Sequence, residues 1–444
     1  MAMTVSRSFR KNSFLLILGL SVALRLASAV YQGDAARVLP GVHDQISYHT
    51  LAARVLDGHG FSFGTGWWPA TPADSPTAHW SYLYTLYLVA VYFVFGIHPL
   101  AARIIQAGIA GILHPWLCRR IGRRLLGERA GLIAALFAAV YGYFIYYAGA
   151  LMTESFFILA VLWVMDCATE LVSGASRRRW ILLGVALGSA VLLRQVFLLF
   201  IPFLFAWLGY ALKRERRPGL VSGIAAACLM VFLMIVPWTV RNYFAFRQFV
   251  LLNTNSGFAF FWGNHPMYGT EFIPVLGDSG SYGKLIPGEL RNLSEAALDR
   301  ELLRRGVSFV TEDPGRYLSL SMSRAKEYFK FWPARDSGLA SNLGRLLSFG
   351  LFLPLMALGI VTVSASIARR KIQDRGHLLL LLFAGVYTLI HLLTWTLIRY
   401  RLPVDAVLIL YAAAGAVWIA DYWERRRSAG NDAGTAVLPV PAKN

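Results

Sequence analysis

Two carboxylates stand where this sequence passes between apolar and polar stretches. Asp44 lies in "GVHDQISYHTLAARVLDGHGFSFG" and Glu154 in "YYAGALMTESFFILAVLW". Asp44 precedes a short amphipathic pattern of Ile46, Leu51, Ala52, Val55 and Leu56, with polar His49 and Arg54 between them. That pattern predicts a helix lying on a membrane surface. An aspartate at its start serves either as an N-cap or as a general base at the water–lipid boundary. Glu154 stands between two long apolar runs with no basic residue nearby. An ionisable group so placed is either a helix-start carboxylate capped through Thr153 or a functional acid. Arg194, Arg241, Arg399 and Arg401 are the complement. A guanidinium stays charged and offers a planar fork of donors to phosphate. The rigid Pro403 after Arg399 and Arg401 favours an anion site there over simple snorkelling.

Further candidates follow in "VPWTVRNYFAFRQFVLLNTNSGFAFFWGNHP". Its aromatics suit an interfacial belt, while Asn253, Asn255 and Asn264 suit a surface that receives sugars by amide hydrogen bonds and stacking. Tyr48 is grouped with these asparagines as a substrate-binding candidate. His43, His49, His59, His79 and His265 are scattered, so a divalent metal held by some of them with Asp44 is an open alternative without diagnostic spacing. No cofactor is certain. Residues from Ser294 to Pro333 read as two amphipathic helices broken at Asp313-Pro314-Gly315, packing or lid material.

The elements that must carry these residues are membrane helices. The 444 residues are 57% hydrophobic and 15% charged, with a mean hydropathy of +0.52. That is well below the charge content of a soluble domain. The net charge of +19 falls in short clusters between apolar runs, not on one face, which excludes a nucleic-acid partner. Cys118, Cys167 and Cys228 form no disulfide or metal pattern. About ten runs are long enough to span: roughly 14–31, 100–117, 130–149, 155–172, 180–194, 196–212, 219–237, 343–366, 378–397 and 404–421. Arg194-Gln195 supplies the turn inside the continuous run 180–212. Clusters at Arg7/Arg10/Lys11, Arg119–Arg124, Arg177–Arg179, Lys213–Arg217, Arg369–Lys371 and Arg425–Arg427 should be cytoplasmic. Threading the spans between them requires 81–96 to be interfacial or re-entrant. Both termini then lie inside, residues 1–427 form the membrane domain, and 428–444 form a disordered tail. The loops of about 32–80 and 238–342, with both acids and the four arginines, fall on the opposite, extracytoplasmic face of the plasma (inner) membrane.

In order along residues 14–423, the chain resembles the GT-C superfamily of polytopic glycosyltransferases. The nearest likeness is to the family 39-type enzymes: protein O-mannosyltransferases, lipid A aminoarabinose transferases and bacterial relatives. The resemblance rests on "HDQISYHTLAARVLDGHG", "YLVAVYFVFGIHPLAARIIQAGIAGI", "CRRIGRRLLGERAGLIAALFAAVY", "YAGALMTESFF", "VPWTVRNYFAF", "TNSGFAFFWGNHP" and "IRYRLPVDAVLILYAAAG". It implies an all-α GT-C-type bundle that takes a sugar from a polyprenyl-phosphate donor on the outer face, usually with inversion. The family's first-loop acid falls on Asp44, its second on Glu154, and its basic proline motif on Arg399, Arg401 and Pro403, near the donor phosphate. Two departures stand out. His43-Asp44 replaces the Asp-Glu pair of protein mannosyltransferases, and "SPTAHWSYLY" replaces a Pro-Pro-Leu-like element, so a donor contact there would fall on His79.

The chemistry agrees with the residues. Phosphate leaves a sugar readily once arginines stabilise its charge, and the attacking hydroxyl or amine needs one carboxylate base. The sequence therefore reads as a membrane glycosyltransferase with an envelope lipid, glycan or protein acceptor. Its rivals are a polymerase or ligase of lipid-linked glycans and a flippase for such lipids.

Overall fold

The computed structural model describes residues 7–39, 42–214, 219–275, 280–335, 337–369 and 375–434. Arg216, Arg217, Arg370 and Lys371 of the expected basic clusters, and residues 435–444 of the expected tail, lie outside them. In chain order, α1 (Arg7–Gln32) leads to α2 (Asp44–Leu56) and α3 (Tyr82–Phe95). Then come α4 (Pro99–Leu126), α5 (Glu128–Val140), α6 (Gly142–Gly149), α7 (Glu154–Ser173), α8 (Arg177–Leu193), α9 (Ile201–Arg214) and α10 (Leu220–Phe246). A long connecting segment holds α11 (Ser256–Asn264), α12 (Gly280–Leu285), α13 (Glu295–Glu312) and α14 (Pro314–Tyr328). The bundle is completed by α15 (Leu339–Arg345), α16 (Leu351–Ala368), α17 (Arg375–Leu393) and α18 (Leu402–Gly434). Among the described residues only three isolated bridges interrupt this all-α pattern.

Eight helical stretches of the described residues are long and apolar enough to cross a bilayer, and the bent pair α5–α6 makes a ninth. The multi-pass membrane architecture is therefore plain. The remaining expected run, 180–194, forms α8, whose 17 residues rise about 26 Å. Segment 81–96 is the 14-residue apolar helix α3. Helix α18 continues to Gly434, so the first residues of the expected tail 428–444 are helical.

Local chemistry explains the breaks. Tyr141 is extended (ψ 117°) and bends α6 by 53° against α5. The break leaves carbonyls without intrahelical partners. Arg25, fully buried in α1, donates to Ala138 O (2.8 Å) and Ala139 O (3.2 Å) and so caps them. That is why a charge stands in the middle of the first span. Between α13 and α14, the Asp313 side chain accepts from Arg316 N at 2.9 Å with Pro314 in the first turn, the break expected at Asp313-Pro314-Gly315. Helices α16 and α18 pack backbone to backbone, because a Cβ on Gly359 would strike the Tyr411 carbonyl.

Helix α7 is the most enclosed spanning stretch, 78% buried, whereas α10 is 17% buried and faces outward. Glu154 thus heads the central helix. Asp166, twelve residues on and about 18 Å away, pairs with Arg120 (2.8 Å) and Arg124 (3.0 Å). Glu170, a turn further, takes Arg120 and Arg179. Arg177–Arg179 and Arg194 likewise flank opposite ends of α8. The bundle therefore has a basic end and an end where Glu154 and Arg194 meet.

At that second end α13 acts as a brace. Glu295, buried, accepts from Thr71 Oγ1 (2.6 Å), Ala78 N (2.8 Å) and Thr254 Oγ1. Asp299, one turn on, accepts from Gly257 N (2.8 Å) and Phe258 N (3.2 Å) at the start of α11. The first loop and the connecting segment are thereby fixed to each other around a satellite core of Phe258, Phe261, Trp262, Leu298, Leu302 and Leu320.

Candidate active site

Helix α2 begins at Asp44 itself, and its inner face starts with polar Gln45, Ser47 and Tyr48 before Leu51 and Ala52. Gln45 is buried because its polar atoms are used: Oε1 accepts from Leu151 N (2.8 Å) and Arg103 Nη2 (3.1 Å), and Nε2 donates to Arg37 O (3.2 Å). Arg103 also donates to Gly149 O at 2.9 Å. The start of α2 is thereby tied to the turn that leads into Glu154. The apolar pattern hides Gln45, but Arg103 leaves a signal, being a lone charge inside the run 100–117.

On this scaffold four residues from distant parts of the chain meet. Arg399 donates through Nη2 to Asp44 Oδ2 (3.2 Å) and through Nη1 to Glu154 Oε1 (3.2 Å). Arg194 Nη2 reaches the same Glu154 oxygen at 2.5 Å, and its Nε donates to Thr153 Oγ1 at 3.1 Å. Neither acid is a side-chain helix cap: Asp44 follows His43 at the α2 start, and Thr153 makes no capping bond to α7. The cluster carries two positive and two negative charges. Side-chain exposure rises from 2% at Glu154 through 9% at Arg399 and 15% at Arg194 to 26% at Asp44, so water reaches Asp44 first. Glu154 Oε2 and Arg399 Nε are buried with no partner among the described residues. A polar group left open in such surroundings is a place for a ligand or water.

Arg194 and Arg399 also share an aromatic neighbour. The Tyr400 ring lies 5.1 Å from the first guanidinium and 5.3 Å from the second.

The other expected anion ligands are engaged elsewhere. Residues 398–401 form a 3-10 turn, in which residues two apart point about 120° from each other. Arg401 therefore turns away from Arg399. It is fully buried, paired through Nε with Asp405 (2.9 Å), bonded to Tyr328 O and stacked 3.7 Å from Phe349. Asp405 also accepts from the Tyr141 hydroxyl (2.6 Å), at the bend between α5 and α6. Arg241 spends its donors on Thr77 O (2.9 Å), Phe61 O (3.2 Å) and Asn242 Oδ1 (3.1 Å), holding the first loop onto α10.

The expected substrate-binding residues serve the scaffold as well. Tyr48 is buried, and its hydroxyl accepts from Ser81 N. Asn253 donates to Ala78 O and Trp80 O (both 2.9 Å). Asn255 joins Gln195 (2.9 Å) to His79 O (3.3 Å). Asn264 takes Arg324 at 2.7 Å and donates to Phe260 O. His79 bonds Thr254 O (3.0 Å) among Trp68, Trp80 and Phe258. Burial lowers its pKa below the ordinary histidine value, so at neutral pH it offers no positive charge to a phosphate. Among the described residues no group of three or more His, Cys, Asp or Glu side chains converges as metal ligands. With a guanidinium between the two carboxylates, the donor set here does not fit a divalent cation.

The family model "Dolichyl-phosphate-mannose-protein mannosyltransferase" matches residues 81–240, which include Glu154 and Arg194. No curated protein matches the chain at a significant level. Among solved structures, the archaeal oligosaccharyltransferase AglB from Archaeoglobus fulgidus, in complex with an inhibitory peptide and a dolichol-phosphate, superposes with a TM-score of 0.60 at 16% identity. That match covers 98% of this chain and 52% of that one. The apo form of the Archaeoglobus fulgidus enzyme gives 0.62 at 14% identity, over 98% and 53%. ArnT from Cupriavidus metallidurans, bound to undecaprenyl phosphate, gives 0.41 at 16% identity, over 90% and 77%. The chain spans about half the length of the oligosaccharyltransferase it matches. Family model and fold together give this chain a GT-C architecture and a resemblance to the GT-C superfamily of membrane glycosyltransferases.

Proposed function

We propose that this protein is a membrane glycosyltransferase that moves a sugar from a polyprenyl-phosphate carrier to an acceptor hydroxyl or amine in the cell envelope, on a lipid, glycan or protein. The observation that carries this reading is Arg399 held between Asp44 and Glu154 with Arg194 beside it. Asp44, the most exposed member, takes the proton of the attacking group as that group bonds to the anomeric carbon. The bond from the anomeric carbon to the phosphate oxygen breaks with its electron pair going to phosphate. Arg399 and Arg194 stabilise the charge that develops there. Attack from the face opposite the leaving phosphate inverts the anomeric centre. Glu154 orients both guanidiniums through one oxygen. By the positive-inside rule, the basic end of the bundle and both termini are cytoplasmic and the four-residue site is extracytoplasmic.

A flippase would need a polar path through the bundle. The charges nearest mid-span, Arg25 and Asp166, instead fasten neighbouring helices, α1 to the end of α5 and α7 to α4. The likeness to the fold of an oligosaccharyltransferase supports, as the second reading, a polymerase or ligase of lipid-linked glycans.

The test is transfer by the purified full chain in proteoliposomes, from labelled polyprenyl-phosphate and polyprenyl-diphosphate sugars to an envelope lipid extract. Transfer by wild type that is lost in Asp44→Asn and Arg399→Ala is expected. Label that merely crosses the bilayer, indifferent to Asp44→Asn, would overturn the proposal.

A further inference from the structure

Among the described residues, Tyr400 is the one aromatic side chain whose ring lies under both guanidiniums of the site. Its ring lies 5.1 Å from Arg194 and 5.3 Å from Arg399, while Phe157 meets Arg194 alone, at 5.5 Å. The His391 ring packs 4.9 Å from Tyr400, tilted by 31°, and is itself fixed by Nδ1 at 3.1 Å from Trp395 O and by the Tyr387 ring 4.7 Å away. The Tyr400 ring is thus held from the α17 side. Its hydroxyl forms no hydrogen bond among the described residues.

A guanidinium has two separable binding surfaces. Its N–H edge serves carboxylates and phosphates, and its flat face serves aromatic rings. In this site the edges carry Glu154 and Asp44, and the central carbons of both guanidiniums lie over the Tyr400 ring. The edge partner can therefore change from carboxylate to phosphate while the face stays seated.

We propose that Tyr400 is a positioning residue whose ring forms a shared floor, keeping Arg194 and Arg399 side by side and oriented for a lipid-linked phosphate. The proposal rests on the function proposed above and assigns Tyr400 no contact with the reacting atoms. Without the floor the two long side chains gain rotamers, and binding must order them again. Ordering a flexible side chain costs about 0.5–1.5 kcal/mol, so two of them weaken phosphate binding on the order of tenfold.

The test uses the full chain in lipid nanodiscs with undecaprenyl phosphate as the probe. Position 400 carries Tyr, Phe, or phenylalanine bearing one, two or three ring fluorines, and a separate variant is Tyr400→Leu. Fluorine drains the face of the ring with little change of shape, so the series keeps its bearing on the proposal even if Tyr400→Leu fails to fold. Tyr400→Phe should bind within about threefold of wild type, with Kd rising stepwise to about tenfold for the trifluoro ring. In transfer assays the change should appear in the KM for donor and leave kcat nearly constant. Equal Kd values across the fluorinated series, with wild type binding well, would overturn the floor and leave the proposed function standing. Failure of wild type itself to bind undecaprenyl phosphate would overturn both.

Discussion

Replacing Asp44 by asparagine should abolish transfer and yet tighten the hold on a lipid phosphate. Arg399 is occupied in the resting site: Asp44 Oδ2 sits 3.2 Å from Nη2. An incoming phosphate must share that edge, and it must also accept a second anion across the same guanidinium. Two single charges about 6 Å apart repel by about 0.7 kcal/mol in water and about 3 kcal/mol at an effective dielectric of 20. Asp44 is 26% exposed, so the relevant figure lies between these limits, about 1.4 kcal/mol or tenfold in affinity. Transfer, by contrast, should fall by about 100- to 10,000-fold with the base removed. The assay is the Kd of undecaprenyl phosphate for wild type and Asp44→Asn in nanodiscs, beside a transfer assay on the same preparations. A variant that loses transfer but binds the lipid equally or more weakly would refute the competition for Arg399. The gain should also shrink as salt rises, because Asp44 is open to solvent.

Three more expectations bear on the same architecture. Arg401→Ala should lower stability by about 3–5 kcal/mol, because it strands buried Asp405, while any folded fraction keeps wild-type affinity for undecaprenyl phosphate; thermal unfolding and the binding assay separate the two effects. Asp299 should make the connecting segment weaken with pH. Burial pushes its carboxyl up to about 7, against the N–H groups of Phe258 and Gly257, so its share of stability is present below the ordinary aspartate value and lost as pH rises through 7, at most about 4 kcal/mol. Asp299→Asn should flatten the fall in melting temperature between pH 5 and 8. Gly359→Leu should prevent α16 and α18 from closing and lose folded protein in detergent, measured by size-exclusion chromatography.

The sequence made the helices legible because each apolar run is long and its ends are marked by charge or proline. Arg194 did end α8, and Asp313-Pro314 did separate α13 from α14. Asp44, Glu154, Arg194 and Arg399 were individually visible, as ionisable groups at helix ends. Their meeting was not, since spacing along a chain does not give the direction in which a side chain leaves its helix. Arg401 shows this most sharply: two residues from Arg399, it points into the bundle because residues 398–401 wind as a 3-10 turn. Arg241 and the asparagines look available as ligands in the sequence because they are polar groups near an interface, and in the fold they donate to the backbone of the loops around them. Gln45 is hidden for the converse reason: it is a polar residue on an inner face whose partners include Leu151 N, 106 residues on, and Arg103, 58 residues on.

The most direct test of the central claim is a cryo-EM structure of the full chain in nanodiscs with undecaprenyl phosphate. Phosphate density is expected within about 4 Å of the Arg399 and Arg194 guanidiniums, with the Arg399–Asp44 contact lengthened from 3.2 Å and Arg401 still on Asp405. Phosphate bound at Arg241, or anywhere that leaves Arg399 between its two carboxylates, would contradict it.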